Sequence, residues 1–264
     1  MAFAELNGVV LHYADEGPRD APVIAFSNSL GTDFRIWDGV VEALGGQFRT
    51  IRYDKRGHGL STCPPSPYTM DEHVGDFTAL LDHVGVNNAI IVGLSVGGLI
   101  AQGLTAARPG LARAVVLCDT AHKILTDDIW NQRIAAVEAN GLEALADGTM
   151  ERWFSNGFRA TETAALAGSR NMLVRTPDAG YVGTCVAIRE TDYTAVAKAI
   201  NVPVLCVVGD EDGATPPDVV RATSEIIPGA KFVIIEGAGH LPCVEKPATL
   251  AGHITEFLSA SGVV

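Results

Sequence analysis

Residues 93–97, Gly-Leu-Ser-Val-Gly, constrain this chain more than any other segment, because they place a serine between a strand and a helix. The apolar run before them, 89–92, has the β-branched character of a buried strand. Residues 98–107 predict a helix that stops before Pro109. Glycines around Ser95 permit a sharp, strained turn that lifts the hydroxyl to the helix N-terminus, where negative charge is stabilised. This context predicts a nucleophile elbow with Ser95 as the nucleophile.

The charge of the chain narrows the partners it can have. Its 264 residues include 31 Asp and Glu against 19 Lys and Arg, for a formal net charge of −12. This acidity disfavours nucleic acids and anionic membrane surfaces as partners. An anionic substrate would need a local cation. A length of 264 residues can hold one large α/β domain, or a core domain with an insertion. The hydrophobic fraction of 47% and the charged fraction of 19% fit a well-buried globular core.

Cysteine usage and the start of the chain indicate the compartment. The five cysteines are odd in number and contain no C-x-x-C pair, which favours a reducing environment over a disulfide framework. The first residues lack a charged segment followed by a long apolar run, so no signal peptide is expected. No apolar run approaches the ~20 residues that span a bilayer. We therefore expect a cytoplasmic protein.

The order of strand and helix patterns predicts a mostly parallel sheet with helices on both faces. Asn7-Gly8 joins two short strand patterns, as in a type I′ hairpin. Six further strand patterns cover 22–26, 50–53, 89–92, 115–118, 203–208 and 231–235. Between the sixth and seventh strands the sequence is helical, which predicts a cap. The expected domains are an α/β core, 1–120 with 194–264, and a helical cap insertion, 121–193.

A serine nucleophile needs a base, and the base needs an acid that orients it. His240 is the favoured base, because it lies in a glycine-rich loop after the last strand pattern. His58, which also follows a strand, is its rival. Asp212, in the loop after 203–208, ranks first among the acids. The competing acids are Asp119, Asp210 and Glu211.

An oxyanion hole requires two backbone N–H donors. Val96, the residue after the nucleophile, is expected to supply one of them. The loop 27–33, which follows the third strand pattern, is expected to supply the other, and Leu30 is the favoured donor.

These segments resemble the α/β-hydrolase superfamily across essentially the whole chain. The resemblance rests on residues 27–33 with Trp37, 52–61, 93–103, 117–121, 209–217 and 237–243. Within the superfamily, Asn28-Ser29-Leu30-Gly31 and Leu117-Cys118-Asp119-Thr120 resemble the 3-oxoadipate enol-lactonase family. The superfamily pattern places the acid third after the loop glycine, which favours Asp212 over its competitors.

The resemblance implies hydrolysis of 3-oxoadipate enol-lactone to 3-oxoadipate in the β-ketoadipate pathway of aromatic degradation. The reaction would use a Ser-His-Asp triad and an acyl-enzyme, with no metal or organic cofactor. The substrate is anionic, so cap residues should bind its carboxylate. The candidates are Trp130 and Arg133, spaced i, i+3 on a predicted helix, and Trp153, with Arg152 and Arg159 nearby in sequence.

Two other functions compete with this interpretation. A carboxylesterase or a cofactor-free haloperoxidase-like hydrolase would use the same triad on the same fold. A non-catalytic binding protein is also conceivable on this fold. The intact set of Ser95, Asp212 and His240 argues against that second alternative.

Overall fold

A single sheet forms the centre of the molecule, and the computed structural model describes residues 2–264. Its strands are β1 (Ala2–Leu6), β2 (Val9–Glu16), β3 (Val23–Ser27), β4 (Arg49–Tyr53), β5 (Ala89–Leu94), β6 (Ala112–Cys118), β7 (Val204–Gly209) and β8 (Lys231–Ile235). They lie in the order β1-β2-β4-β3-β5-β6-β7-β8. β2 is antiparallel to both of its neighbours, and the remaining pairs are parallel.

The helices fall into two groups along the chain. Those outside the β6–β7 connection are α1 (Asp38–Ala43), α2 (Met70–His83) and α3 (Val96–Ala107), followed near the C-terminus by α10 (Pro217–Ile226), α11 (Pro242–Glu245) and α12 (Pro247–Ala260). Those within it are α4 (Asp127–Asn140), α5 (Ala146–Trp153), α6 (Asn156–Thr161), α7 (Thr163–Val174), α8 (Asp178–Arg189) and α9 (Thr194–Ala199). None of the helices within residues 2–264 is both long and apolar enough to cross a bilayer.

Local sequence explains the N-terminal hairpin and the start of α2. Asn7 and Gly8 both have positive φ angles, 51° and 75°, as a type I′ turn requires, so the predicted hairpin is confirmed. α2 begins at Met70 because Thr69 and Glu72 form a capping box there.

The parallel strands bring the functional loops to one edge of the sheet. All six residues of β5 are buried, which requires a layer on each face of the sheet. α3 packs against β5 and β6. Because β3, β5, β6, β7 and β8 run in the same direction, the loops that follow them gather at their carboxyl ends, where α/β proteins bind ligands.

The inserted helices occupy the position that the sequence predicts. α4 to α9 separate β6 from β7, and residues 119–203 contain no strand among the described positions. Within the insertion, α4 packs on α8 and α5 packs on α7. The predicted architecture, a mostly parallel sheet with a helical insertion after the sixth strand, is confirmed.

Candidate active site

Ser95 occupies a sharp turn between β5 and α3, with φ 58° and ψ −119°. A positive φ is uncommon for a residue with a side chain, so tight packing has to hold it. A Cβ at Gly97 would lie 2.0 Å from the Ser27 carbonyl oxygen, and one at Gly93 would lie 2.1 Å from the Gly97 carbonyl oxygen. Both positions therefore require glycine, and the turn has the geometry of the predicted elbow.

Asp212 and His240 follow β7 and β8 and form a buried, hydrogen-bonded pair. Nδ1 of His240 lies 3.0 Å from Oδ2 of Asp212. The amides of Ala214 and Thr215 donate to Oδ1 of Asp212 at 2.7 and 3.1 Å. The Thr215 hydroxyl donates to Oδ2 at 2.7 Å. Loop amides and one hydroxyl thus hold the carboxylate against the imidazole.

The surroundings of Asp212 favour its ionised form. Burial raises the pKa of this carboxyl group, but His240 and the Ala214 and Thr215 donors outweigh burial, so the pKa is lowered from its ordinary value. A carboxylate at Nδ1 of His240 favours the tautomer whose proton is on Nδ1 and whose Nε2 is free to accept one.

Ser95 and His240 line the same small cavity, whose volume is about 40 Å³. Two larger clefts, of about 700 and 520 Å³, contain none of Ser95, Asp212 and His240 in their walls. We assign the candidate active site to the small cavity, because the side chains that can perform acyl transfer converge there.

The two predicted oxyanion donors lie beside Ser95. Val96 is the first residue of α3, so its amide has no acceptor within the helix. Leu30 lines the cavity, and its amide has no hydrogen-bond acceptor among residues 2–264. Both N–H groups are therefore available to a ligand.

Helices α4 and α5 of the insertion form one wall of the cavity, which we call its roof. Trp130 and Arg133 of α4 line it, as does Trp153 of α5, so all three predicted substrate residues are brought together. The Arg133 guanidinium lies 4.9 Å from the centre of the Trp130 ring, a cation–π contact. Arg152 of α5, which sequence reasoning named only as a neighbour of Trp153, also lines the cavity. Its Nη2 donates to the Thr149 hydroxyl at 3.0 Å.

Arg133 and Arg152 make the cavity positive. Neither forms an ion pair with a carboxylate within the described part of the chain, whereas arginines such as Arg49 and Arg56 do. Burial, and then the positive charge of Arg133, lower the pKa of Arg152. Two partly buried guanidinium groups without counter-ions form a site for an anion.

The rival base, His58, and two of the rival acids, Asp210 and Glu211, form hydrogen bonds with groups outside the Ser95 site. His58 is fully buried outside the cavity wall, with Nδ1 3.1 Å from the Arg56 carbonyl oxygen. Asp210 accepts hydrogen bonds from the amides of Gly237 and Ala238, which ties two loops together. Glu211 accepts from the backbone and side-chain nitrogens of Asn156.

Asp119 is the rival acid that lies close to the pair. One carboxylate oxygen of Asp119, one of Asp212 and one ring nitrogen of His240 all lie within 4.8 Å of one another, the spacing of a possible metal site. Asp212 and His240 already bond to each other, which accounts for this cluster without an ion. Asp119 accepts from the Gly209 amide at 2.9 Å and is fully buried. Burial, and then the charge of Asp212, raise its pKa well above the ordinary value, which favours the protonated form of Asp119.

A family model for the α/β hydrolase fold matches residues 22–247. The chain belongs to the α/β-hydrolase family. It is 35% identical over 241 residues to a 3-oxoadipate enol-lactonase of Acinetobacter baylyi, covering 91% of this chain and 90% of that protein. It is 30% identical to a bifunctional esterase/perhydrolase of Acinetobacter calcoaceticus, over 90% of this chain and 92% of that one.

Solved structures show the same relationship. The enol-lactonase from Burkholderia xenovorans superposes with a TM-score of 0.94 at 37% identity, covering 98% of this chain and all of that one. A thermophilic esterase from Thermogutta terrifontis superposes with a TM-score of 0.91 at 26% identity, over 98% of each chain. The resemblance to enol-lactonases is therefore confirmed, and this α/β-hydrolase is an enzyme that hydrolyses esters or lactones.

Proposed function

We propose that this hydrolase converts 3-oxoadipate enol-lactone to 3-oxoadipate. One observation carries the choice of substrate: Arg133 and Arg152 face the cavity of Ser95 without carboxylate partners, in a chain of net charge −12. A neutral ester would not require two such cations, whereas the lactone carries a carboxylate. The similarity to enol-lactonases supports the same substrate.

In the proposed mechanism, Nε2 of His240 removes the proton of the Ser95 hydroxyl as its oxygen attacks the lactone carbonyl. The amides of Leu30 and Val96 stabilise the oxyanion of the tetrahedral intermediate. When the intermediate collapses, the ring C–O bond breaks and the enol oxygen leaves, taking the proton from His240. The enol then tautomerises to the ketone. Water, deprotonated by His240, attacks the carbonyl carbon of the acyl-enzyme. The bond from that carbon to the Ser95 oxygen then breaks, His240 returns the proton to Ser95, and 3-oxoadipate is released.

Asp212 acts through His240 in this scheme. Its carboxylate holds Nδ1–H of the ring and stabilises the imidazolium that forms when His240 takes a proton. Thr215 and the Ala214 amide keep the carboxylate in place.

Substrate binding is assigned to the roof of the cavity. Arg133 and Arg152 bind the carboxylate of the lactone, and Trp130 and Trp153 pack against its carbon skeleton. A cavity of about 40 Å³ holds only a few water molecules, since one needs roughly 10–15 Å³. We therefore propose that segment 121–193 works as a cap that moves away from the core to admit the lactone.

A carboxylesterase or perhydrolase activity is the second candidate, favoured by the similarity to the bifunctional esterase/perhydrolase.

We propose that the enzyme works in the cytoplasm, in the β-ketoadipate pathway of aromatic degradation. Its cysteines are all free, which suits a reducing compartment.

The test follows the ultraviolet absorbance of 3-oxoadipate enol-lactone with the wild type and with Ser95→Ala. Rapid loss with the wild type and near-background loss with the variant support the proposal. p-Nitrophenyl acetate serves as the neutral comparison substrate. If the wild type cleaves this ester through Ser95 but leaves the lactone intact, the enzyme is an esterase and the proposed substrate is wrong.

A further inference from the structure

Lys55 is a buried cation that the proposed mechanism does not use. It lies in the loop after β4 with 1% of its surface exposed. Its Nζ donates a hydrogen bond of 2.5 Å to the Ser29 carbonyl oxygen, and it forms no ion pair within residues 2–264. Burying an ammonium group without a counter-ion costs desolvation free energy, so we expect this charge to perform a role at this position.

The bonded carbonyl belongs to the same peptide unit as the Leu30 amide, because the Ser29 C=O and the Leu30 N–H share one peptide bond. A positive charge at the oxygen increases the double-bond character of the C–N bond and the partial positive charge on the N–H. Hydrogen bonds at the two ends of a peptide unit reinforce each other in this way. Leu30 lines the cavity of Ser95, and its N–H has no acceptor among residues 2–264.

We propose that Lys55 is a positioning residue of the oxyanion hole, which orients the Ser29–Leu30 peptide and strengthens the Leu30 N–H as a donor. The inference rests on the proposed function in one respect, namely that Leu30 stabilises the oxyanion. It does not depend on the substrate being a lactone, since any ester cleaved through Ser95 passes through an oxyanion.

Thr32 provides an internal comparison, because it donates to the same carbonyl without carrying a charge. Its hydroxyl lies 2.9 Å and its amide 3.4 Å from the Ser29 oxygen. The position of the carbonyl is therefore shared between Thr32 and Lys55, whereas the positive charge comes from Lys55 alone. Removing the two side-chain donors one at a time therefore separates the orientation of the Ser29–Leu30 peptide from its polarisation by the charge of Lys55.

The surroundings of Lys55 make its charge sensitive to pH. Burial lowers its pKa to about 7, against the opposing charges of Asp54 and Asp33. The other titratable groups that face it are His58 and His73, whose pKa values burial and then Lys55 hold well below the ordinary value, which disfavours their charged forms. Lys55 therefore loses its charge as pH rises through about 7.

The experiment compares Lys55→Met and Thr32→Val with the wild type, using p-nitrophenyl acetate and a Ser95→Ala blank. At pH 6 we expect kcat of Lys55→Met to fall by roughly tenfold to a hundredfold with KM little changed, since removal of a whole oxyanion donor costs roughly 10²–10³. By the same comparison, kcat of Thr32→Val should fall by no more than about threefold. Because the wild type loses its charge at higher pH, its kcat advantage over Lys55→Met should shrink between pH 6 and pH 9.

Equal losses in the two variants, a ratio that does not change with pH, or a folded Lys55→Met with wild-type kcat would each overturn the proposal. Thermal unfolding establishes that the variants are folded. If Lys55→Met does not fold, Lys55→Arg carries the test: its charge is permanent, so kcat at pH 6 should persist while the pH dependence assigned to Lys55 disappears. Failure on the lactone with success on the ester would refute the proposed substrate and leave this test intact.

Discussion

Replacing Asp212 and Asp119 separately by asparagine distinguishes two carboxyl groups that lie within 4.8 Å of each other. Asp212 is surrounded by donors that lower its pKa, so Asp212→Asn removes a negative charge. Its amide would also present an N–H group to His240 and disfavour the tautomer with a free Nε2. We expect kcat to fall roughly 10⁴-fold, as it does where asparagine replaces the aspartate of such a triad.

Asp119→Asn is the matched control. Burial and the charge of Asp212 favour the protonated form of Asp119, which has the same charge as asparagine and nearly the same shape. The amide oxygen can still accept from the Gly209 amide, which the native carboxyl does at 2.9 Å. We expect kcat to change by less than about threefold, or about 0.6 kcal/mol in activation free energy.

The same variant predicts a pH-dependent change in stability. Below pH ~4, Asp119 is protonated in both the folded and the unfolded chain, so its ionisation contributes nothing. Above that pH the unfolded chain ionises while the folded one does not, so the wild type loses roughly 1.4 kcal/mol of unfolding free energy per pH unit until pH reaches the raised pKa of the folded state. Asp119→Asn lacks this loss. Its free energy of unfolding, relative to that of the wild type, should therefore increase by roughly 1.4 kcal/mol between pH 5 and pH 6.

The assay is urea unfolding at pH 5 and pH 6, together with kcat on the lactone for both variants. A loss of activity in Asp119→Asn comparable to that in Asp212→Asn would show that Asp119 is an ionised member of the catalytic group. A stability difference that stays constant with pH would show that its pKa is not raised. Either result refutes the assignment of Asp119 as a neutral neighbour.

Three further outcomes are expected. Gly97→Ala should abolish folding or activity, measured by circular dichroism and turnover, because its Cβ would lie 2.0 Å from the Ser27 carbonyl oxygen. Arg133→Leu and Arg152→Leu should each raise KM for the lactone by roughly tenfold to a hundredfold, the worth of a charged hydrogen bond, and barely change KM for p-nitrophenyl acetate. Native protein should show one fast-reacting thiol with an aromatic disulfide reagent, Cys63, since the other cysteines are buried; several equally fast thiols would contradict the packing.

The sequence predicts those parts of the site that depend on neighbours along the chain. Gly93, Ser95 and Gly97 signal the elbow because the sterics of a strand–turn–helix junction act over five residues. Asp212 and His240 each follow a strand that the apolar pattern identifies, and parallel strands bring their ends to one edge. Strand ends therefore predict which side chains meet, although local pattern alone does not choose Asp212 over Asp119.

The contacts that sequence reasoning missed join residues far apart in the chain. Lys55 reaches the Ser29 carbonyl across 26 positions, and Asp119 reaches the Gly209 amide across 90. Arg152 faces the cavity because α5 packs within a group of inserted helices, and that packing has no short-range signature in the sequence. Such contacts depend on how elements pack together, which periodicity along a single element does not encode.

The distribution of charge links these contacts to the reaction. The molecule as a whole is acidic, with a net charge of −12, yet Arg133, Arg152 and Lys55 lie at or behind the cavity without ion-pair partners among the described residues. In the proposed mechanism, acyl transfer to Ser95 develops negative charge on the carbonyl oxygen, and the proposed substrate brings a second negative charge. Positive charges that are partly or fully buried stabilise such negative charges more strongly than exposed cations would, because solvent screens them less.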